Sequence, residues 1–260
     1  MNSPVILITG GARRIGAEIS RSLHAAGGNI AVHFNSSNTD ADNLVAELGA
    51  LRAGSAAAFQ ADLLDDIALA ELVAKVVEKF GRLDALVNNA SSFFPTKIGT
   101  TTAAKWDNLV GTNFRAPLFL AQAAAPHLAA RQGCIVNITD IHAERPLKGY
   151  PVYCAAKAGL LGLTRALAVE LAPQVRVNAV APGAVMWPAN SELASTGAAE
   201  VAGATQDFPL AQQAAIIRHT LLNRIGSPSD IAKTVKFLIF DAPYITGQII
   251  NVDGGRSAHL

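Results

Sequence analysis

The sequence predicts an α/β fold in which helices cover both faces of a doubly wound parallel sheet, giving three layers and a single domain over residues 1–260. Two observations predict this fold. Short runs rich in Val and Ile alternate with helical patterns of ten or more residues. The runs are apolar almost throughout, as in parallel strands that are buried on both faces. Seven such runs follow one another along the chain: PVILIT, NIAVHF, AAAFQA, LDALVNN, GCIVNIT, VRVNAVA and QIINVD.

Composition narrows the class of protein. The chain has 260 residues, of which 50% are hydrophobic and 16% charged, with a formal net charge of +1. It shows neither a basic field nor a long unbroken apolar span, so we expect no nucleic-acid partner and no membrane segment. The beginning, MNSPVILITG, lacks the features of a signal peptide, and Cys134 and Cys154 have no metal-ligand spacing. We expect a cytoplasmic protein without a metal, in which both cysteines are reduced packing residues.

The first strand leads directly into a glycine-rich turn. TGGARRIG occupies residues 9–16, between the first strand and the first helix. Backbone N–H groups at such a turn, together with the helix dipole, bind phosphate. Arg13 and Arg14 add two cations, and arginine can hold a phosphate through two parallel hydrogen bonds. The turn therefore predicts a Rossmann-type dinucleotide site that includes Gly10, Arg13, Arg14 and Ile15.

The end of the second strand indicates which dinucleotide binds. Sites for NAD usually place Asp or Glu there to hold the ribose 2′-hydroxyl. This strand instead ends in HFNSS, where hydroxyl and amide groups replace the acid, and Arg13 is expected nearby. Nothing in this stretch repels a 2′-phosphate. We therefore predict NADPH as the cofactor, with contacts from His33, Asn35, Ser36 and Ser37.

The helix after the fifth strand carries the candidate reactive groups. Tyr153 and Lys157 are four residues apart and share one helix face. A lysine cation beside a phenol favours the ionised form, so we expect the pKa of Tyr153 to fall below its usual value of about 10. The phenol can then exchange a proton near neutral pH.

Asp140 lies thirteen residues before Tyr153. A carboxylate at the reacting centre would repel a carbonyl oxygen that gains negative charge. It suits a C=N acceptor, because the nitrogen must gain a proton and a nearby carboxylic acid can supply it. Two other roles stay open, since Asp140 could cap its loop or pair with Arg145.

Several motifs together resemble the short-chain dehydrogenase/reductase family over essentially the whole chain. They are the glycine turn, the NNA segment, the Tyr-x-x-x-Lys pair, the PG turn and ITGQIINVDGG. The resemblance implies a proton-relay water held by Asn113, catalysis by Tyr153 and a nicotinamide ribose held by Lys157. It also implies cofactor contacts at the adenine, at its ribose and at the nicotinamide, from Asp62, Leu63, Asn89, Ala90, Pro182 and Gly183.

Two departures from that family's usual pattern make the chain resemble one subgroup of the family. Arg14 stands where the family's turn has its middle glycine, and Asp140 stands where the family usually has a serine. With NNASSFFPT, these residues resemble the pteridine reductases, in which an arginine and an aspartate occupy the same places. The resemblance implies that Phe93 stacks on a pterin, with the nicotinamide on the other pterin face, and that Ser91 contacts the cofactor or the pterin. The implied substrate site consists of Arg14, Ser91, Phe93, Asp140, Tyr153 and Trp187.

After the sixth strand, residues 184–217 form a long segment without a strand pattern. Because this segment follows a Pro-Gly turn at a strand end, we expect it to be a lid over the substrate, with Trp187 lining the pocket. The resemblance further implies a homotetramer, in which the helix that carries Tyr153 and a helix over residues 102–131 bury apolar faces between subunits.

The combined expectation is an enzyme that uses NADPH to reduce a dihydropterin, such as dihydrobiopterin, dihydromonapterin or dihydrofolate, to its tetrahydro form. Well-known pteridine reductases carry an arginine after the second strand, where this chain has NSS. The cofactor prediction therefore depends on Arg13 and on the missing acid. Two alternatives stay open: a carbonyl reductase acting on a ketoacyl or sugar substrate, and a non-catalytic NADP(H)-binding sensor.

Overall fold

The computed structural model describes residues 3–185 and 210–259, which form a layered α/β unit. Seven parallel strands make one sheet in the order β3-β2-β1-β4-β5-β6-β7. The strands are β1 (Val5–Ile8), β2 (Asn29–Phe34), β3 (Ala56–Gln60), β4 (Ala85–Asn88), β5 (Cys134–Ile138), β6 (Arg176–Pro182) and β7 (Ile249–Val252). Six of the seven runs identified in the sequence contain a whole strand, and the run VRVNAVA contains all of β6 except Pro182, so the predicted fold class is confirmed.

Helices flank the sheet on both faces. In the described residues they are α1 (Arg14–Ala25), α2 (Asn38–Leu51), α3 (Asp66–Phe80), α4 (Ala103–Val110), α5 (Ala116–Ala129), α6 (Pro151–Glu170), α7 (Leu210–Arg218), α8 (Pro228–Phe240) and α9 (Arg256–His259). A π-helix, Gly111–Arg115, joins α4 to α5, and a short 3-10 helix, Ile141–Ala143, follows β5.

Two apolar clusters fill the space between the sheet and its two helix layers. On one face, α1, α2 and α8 contribute residues such as Ile19, Leu44 and Ile231. On the other face, α3 and α5 contribute Leu72 and Leu120, and α6 packs at the edge of the same cluster. Burial of both faces is the main source of stability in a sheet of this kind.

Strand β1 shows why the strands are continuously apolar. Ile6 and Ile8 belong to the first cluster, whereas Val5 and Leu7 belong to the second. Successive side chains of a strand point to opposite faces, so all four must be apolar when both faces are covered.

The strand order reverses beside β1, and this reversal positions the site. The chain runs outward from β1 through β2 to β3, and then crosses back to β4 on the other side of β1. The helices that leave β1 and β4 therefore lie on opposite faces, which opens a crevice at the carboxyl ends of these strands. The glycine turn, Asn89 and Asp140 follow β1, β4 and β5 at this edge.

Helix α6 is apolar because it belongs to the core. By length and composition it could cross a membrane, but half of its apolar window is buried in the fold. Its buried residues include Tyr153, Lys157 and Leu160. Such burial is typical of a core helix, so this helix is weak evidence for a membrane span.

Cys134 and Cys154 are buried free thiols, as the sequence predicts. Burial raises the pKa of Cys134 to about 11, which keeps this thiol protonated at neutral pH. Among residues 3–185 and 210–259, no group of three or more His, Cys, Asp or Glu side chains could hold a metal ion.

We expect a leucine in the centre of the sheet to contribute far more stability than a leucine on the surface. Leu86 in β4 is fully buried, whereas Leu51 at the end of α2 is 75% exposed. Leu86→Ala leaves a cavity and should lower the free energy of unfolding by about 2–5 kcal/mol. Leu51→Ala should change it by less than about 0.5 kcal/mol. Urea unfolding of the two variants measures this difference, and equal shifts in the midpoint would contradict the assigned core.

Candidate active site

The glycine turn after β1 is tied to the loop after β4. Thr9 Oγ1 accepts hydrogen bonds from the backbone N–H groups of Asn89, at 2.9 Å, and Ala90, at 3.0 Å. The Asn89 side-chain amide donates to the carbonyl oxygens of Thr9 and Gly10. Asn89 and Ala90 therefore border the turn, as a cofactor site requires. The NH₂ group of Asn89 is already hydrogen-bonded to the backbone of the turn.

Two glycines of the turn are required by close contacts. Gly10 has a φ of +58°, and a Cβ there would lie 3.1 Å from Ala90 Cα. A Cβ on Gly16 would clash with the carbonyl oxygen of Gly10 and lie 2.7 Å from Asn89 Nδ2. Helix α1 therefore approaches the turn more closely than a side chain at Gly16 permits. This approach brings the N-terminal N–H groups of α1 to the crevice, where they can bind phosphate.

Arg13 and Arg14 form the start of α1. Arg13 is the N-cap residue and has an extended backbone. Arg14 has a φ of +51°, a left-handed conformation that costs a non-glycine residue roughly 1–2 kcal/mol. The conformation explains why a glycine suits this position in the family that the chain resembles. Ile15, also predicted to bind the cofactor, packs its side chain against the core cluster of α1.

His33 supports the turn from within the protein. Its Nδ1 accepts a hydrogen bond from the Gly10 N–H at 3.1 Å, and its Nε2 donates to the Ala61 carbonyl at 3.1 Å. These contacts assign the neutral tautomer with hydrogen on Nε2, and burial lowers the pKa of His33 to about 4. The ring is buried and both nitrogens have partners within the protein, so the His33 side chain holds the turn, and a cofactor contact from His33 stays a prediction.

The loop after β2 has the exposure that a 2′-phosphate site needs, but an acid lies beside it. Asn35 and Ser36 are exposed and Ser37 is partly exposed. Asp40, in the first turn of α2, places Oδ2 3.5 Å from Arg13 Nε. No carboxylate is predicted here from the strand end alone, because Asp40 lies beyond that strand, in α2. An acid three residues after Ser37 was the signal that could have revealed it.

The residues expected at the two ends of the cofactor lie just after β3 and at the end of β6. Asp62 is exposed, and its Oδ1 accepts a hydrogen bond from the backbone N–H two residues further on, at 2.9 Å. Leu63 beside it is buried. Pro182 ends β6, and Gly183 follows so close to Asp253 that a Cβ would lie 2.8 Å from the Asp253 Cβ. A glycine is therefore needed at this strand end.

Asp140, Tyr153 and Lys157 form a connected group between β5 and α6. The Tyr153 hydroxyl donates a 2.6 Å hydrogen bond to Asp140 Oδ2. Lys157 Nζ donates to the Ile138 carbonyl at 2.9 Å and lies 5.8 Å from the centre of the Tyr153 ring. Tyr153 and Lys157 are both buried, so packing fixes their relative positions.

The expectation that Lys157 lowers the pKa of Tyr153 is wrong. Burial, followed by the charge and the hydrogen bond of Asp140, raises the pKa of Tyr153 well above 10. Burial also lowers the pKa of Lys157 to about 8, against a smaller opposing effect of Asp140. A buried phenolate beside a carboxylate is unfavourable, so Tyr153 is a protonated donor at neutral pH.

Asp140 also caps its own loop. Its Oδ1 accepts a hydrogen bond from the His142 N–H at 2.7 Å, at the start of the 3-10 helix, while its Oδ2 accepts from Tyr153. The capping role that the sequence left open is therefore present together with the contact to the phenol. Two donors on one carboxylate hold it in a single orientation.

Asn113 is buried in the π-helix between α4 and α5. Its amide donates to the carbonyl oxygens of Ser92 and Leu109, both at 2.9 Å, and its oxygen accepts from the Ser91 hydroxyl at 2.6 Å. The Asn113 side chain therefore fixes the loop that carries Ser91. Single turns of π-helix are frequent at functional sites, and the role of Asn113 in a proton relay stays a prediction.

Phe93 is partly exposed beside Tyr153. Its ring stacks on Tyr150 with centroids 4.6 Å apart and an interplanar angle of 8°, and it meets Tyr153 at 4.8 Å and 80°. Both arrangements are favourable for aromatic pairs. Tyr150 was not among the predicted site residues, and its position three residues before Tyr153 is the signal in the sequence that could have indicated it. Trp187 and most of the predicted lid lie outside the described residues.

The arrangement combines a protonated phenol, a carboxylate that orients it, a buried lysine and an exposed aromatic ring. These groups stand at the same sheet edge as the phosphate-binding turn. A dinucleotide lying in the crevice would run from the turn toward Tyr153. The geometry therefore presents a protonated phenol that can deliver a proton to an acceptor in this crevice.

Known proteins resemble the chain over nearly its whole length. A family model described as enoyl-(acyl carrier protein) reductase matches residues 10–257. Pteridine reductase 1 of Leishmania tarentolae is 36% identical, with 98% of this chain and 96% of that protein covered. A 3-oxoacyl-[acyl-carrier-protein] reductase of Synechocystis sp. is 35% identical, with 98% and 97% covered. A 3-oxoacyl-[acyl-carrier-protein] reductase named FabG, from Staphylococcus epidermidis, is 35% identical, with 96% of this chain and 97% of that protein covered. Relatives named for two different substrates are thus almost equally similar to this chain.

Adding a methyl group to the phosphate turn should remove dinucleotide binding. In Gly16→Ala the new Cβ must displace α1 from Gly10 and Asn89, so we expect NADP⁺ to bind more than about tenfold more weakly. Gly49→Ala is the matched control, because a Cβ at this position in α2 meets nothing within 4 Å. It should leave binding unchanged and raise stability by roughly 0.5–1 kcal/mol. Calorimetric titration and thermal unfolding measure both effects, and tight binding by Gly16→Ala would contradict the assigned turn.

Proposed function

The chain belongs to the short-chain dehydrogenase/reductase family, and we propose that it uses NADPH to reduce a dihydropterin to its tetrahydro form. Membership accounts for oxidoreductase chemistry with a nicotinamide dinucleotide. The choice of substrate depends on one observation: the phenol of Tyr153 is hydrogen-bonded at 2.6 Å to the carboxylate of Asp140.

A carboxylate beside the proton donor favours a nitrogen acceptor over an oxygen acceptor. Reduction of a ketone builds negative charge on oxygen, which the nearby Asp140 carboxylate would destabilise. Reduction of a C=N bond requires a proton on nitrogen, and an anion stabilises the positive charge that this proton brings. Dihydropterins contain such a bond between C6 and N5, in a flat ring.

The proposed reaction adds one hydride and one proton across this double bond. The nicotinamide of NADPH, when bound, supplies the hydride to C6. Asp140 and Tyr153, with water, form the path along which a proton from solvent reaches N5, so that the phenol regains a proton as it gives one up. Lys157 holds the Ile138 carbonyl and is proposed to bind the nicotinamide ribose with its remaining N–H groups.

An aromatic ring next to the proton donor supports a flat substrate. Phe93 is partly exposed, and its stacking on Tyr150 holds it beside Tyr153. Stacking of a pterin on such a ring supplies affinity and fixes the distance between C6 and the hydride donor. We include Ser91 and Arg14 in the same substrate site, and we keep Trp187 and residues 184–217 as a proposed lid.

Two features support NADPH as the cofactor. Arg13, at the N-terminus of α1, provides a guanidinium near the end of β2, and arginine is well suited to phosphate. The loop there exposes Asn35 and Ser36, whose side chains can donate hydrogen bonds to a 2′-phosphate.

The relatives named 3-oxoacyl-[acyl-carrier-protein] reductase support a second candidate, the reduction of a carbonyl substrate. Their identity to this chain is within one percentage point of that of the pteridine reductase. Under this candidate the role of Asp140 is to cap its loop through Oδ1, and Tyr153 is the group that contacts the carbonyl oxygen of the substrate. The two candidates therefore predict opposite effects when the Asp140 charge is removed.

We also propose that the enzyme is a homotetramer. Trp106 on α4, Leu118 on α5 and Val169 on α6 are exposed apolar side chains on the helices expected to meet their copies. Their burial between subunits would remove apolar surface from water.

Replacement of Asp140 separates the two candidates. Asp140→Ser and Asp140→Asn should lower kcat/KM for dihydrobiopterin by about 100-fold, because the phenol loses its anionic partner. The carbonyl candidate instead predicts that Asp140→Ser raises ketone turnover. Glu144→Gln removes an exposed carboxylate from the same loop and should leave both rates unchanged. The decay of NADPH absorbance measures each rate.

Two results of these rate measurements would contradict the proposed function. Full dihydropterin turnover by Asp140→Ser would contradict the proposed role of the carboxylate. A wild-type protein that binds NADPH tightly but oxidises it with neither a pterin nor a ketone would be the non-catalytic sensor.

The reaction should slow at alkaline pH. Lys157 is cationic below its pKa of about 8 and loses its charge above it, whereas the raised pKa of Tyr153 keeps the phenol protonated. We expect kcat/KM for NADPH to fall by about tenfold per pH unit above about pH 8. Lys157→Arg keeps a permanent cation and should move the decline above about pH 10. A decline that stays in place in this variant would belong to another group.

A further inference from the structure

Arg13 and Asp40 connect the start of α1 to the start of α2, beside the loop after β2. Arg13 Nε lies 3.5 Å from Asp40 Oδ2, and the two side chains are 32% and 51% exposed. Arg13 is the N-cap residue of α1, and Asp40 lies in the first turn of α2. The pair therefore stands at the end of β2, where a dinucleotide places its adenosine 2′ position in this fold.

Helix capping does not explain the position of the Asp40 carboxylate. Ser37 and Asp40 have the spacing of a capping box, but Ser37, the N-cap residue of α2, makes no side-chain capping bond. The carboxylate is instead directed to Arg13 of the neighbouring helix. The carboxylate therefore interacts with Arg13, the residue that best suits a 2′-phosphate.

We propose that Asp40 is a specificity-determining residue, which pairs with Arg13 and thereby weakens the binding of 2′-phosphorylated dinucleotides relative to unphosphorylated ones. This inference rests on the proposed use of NADPH and identifies the residue that limits the affinity for NADPH. A 2′-phosphate must draw Arg13 away from Asp40 and then lie near a second negative charge. An unphosphorylated ribose brings no such charge, and its 2′-hydroxyl can donate a hydrogen bond to a carboxylate.

Calorimetric titration of the purified protein with NADP⁺ and with NAD⁺ tests the proposal. Asp40→Asn keeps the size of the side chain and removes its charge. At low ionic strength this variant should bind NADP⁺ about three- to tenfold more tightly, and its affinity for NAD⁺ should change by no more than about twofold. The gain should shrink as salt is added, because salt screens exposed charges.

Glu47→Gln is the matched control. Glu47 lies on the same helix and pairs with Arg21 of α1 at 2.7 Å, with similarly exposed side chains, but two helical turns further from the β2 loop. Its replacement removes the same charge and should leave both affinities unchanged. An equal gain in Glu47→Gln would reveal a general effect of net charge and overturn the specific role of Asp40.

The Arg13→Gln variant distinguishes two effects of Asp40. One is competition with the 2′-phosphate for Arg13, and the other is simple repulsion between Asp40 and the 2′-phosphate. In this background Asp40→Asn should bring a clearly smaller gain in NADP⁺ affinity than in the wild-type chain. The proposal is overturned by a gain of the same size without Arg13, or by an Asp40→Asn variant that binds NADP⁺ no more tightly. The titrations need no pterin, so they do not depend on the proposed substrate. A wild-type chain that prefers NAD⁺ would contradict only the proposed use of NADPH. The direction of the Asp40→Asn effect on NADP⁺ affinity would still decide the proposed role of Asp40.

Discussion

The hydrogen bond between Tyr153 and Asp140 is the interaction on which the chemistry of this site depends. Burial and the negative charge of Asp140 both raise the pKa of Tyr153, so the phenol keeps its proton. The same carboxylate is held by the His142 N–H, which gives the phenol one direction in which to point. In the proposed reaction Tyr153 is an acid whose partner is an anion. We propose that this pairing disfavours an acceptor that becomes an oxyanion and favours one that becomes protonated.

The pairing requires β5 and α6 to keep a fixed position relative to each other. In the sheet next to the site, Asn88 of β4 donates to Asn137 of β5 at 2.8 Å, and Asn137 donates to Thr164 of α6 at 2.9 Å. All three side chains are buried. Displacement of α6 would leave a buried amide unpaired, at a cost of about 1–3 kcal/mol. The buried polar chain therefore ties the helix that carries Tyr153 to the strand that leads to Asp140.

Local patterns in the sequence predict the fold and the main candidates for the site, whereas distances between segments decide the rest. The seven strands are visible because burial on both faces makes each run apolar, and Tyr153 and Lys157 share a face because a helix repeats every 3.6 residues. Spacing alone does not show that Asp140 outweighs Lys157 at the phenol, because that depends on burial and orientation. The contact of Asp40 with Arg13 and the internal bonds of His33 likewise arise only when separate strands and helices meet.

Two departures from the family pattern give the crevice its polarity. Arg14 holds a φ of +51° where glycine would be unstrained, and Asp140 places an anion where the family usually has a hydroxyl. Such local costs persist only where the surrounding structure imposes them. Arg14 lies two residues before Gly16, which packs closely on Gly10, and the Asp140 carboxylate is held by the two hydrogen bonds that it accepts. The result is a cation at the glycine turn and an anion beside Tyr153, which suits the proposed complex, with the phosphates of NADPH at one end and the basic nitrogen of a dihydropterin at the other.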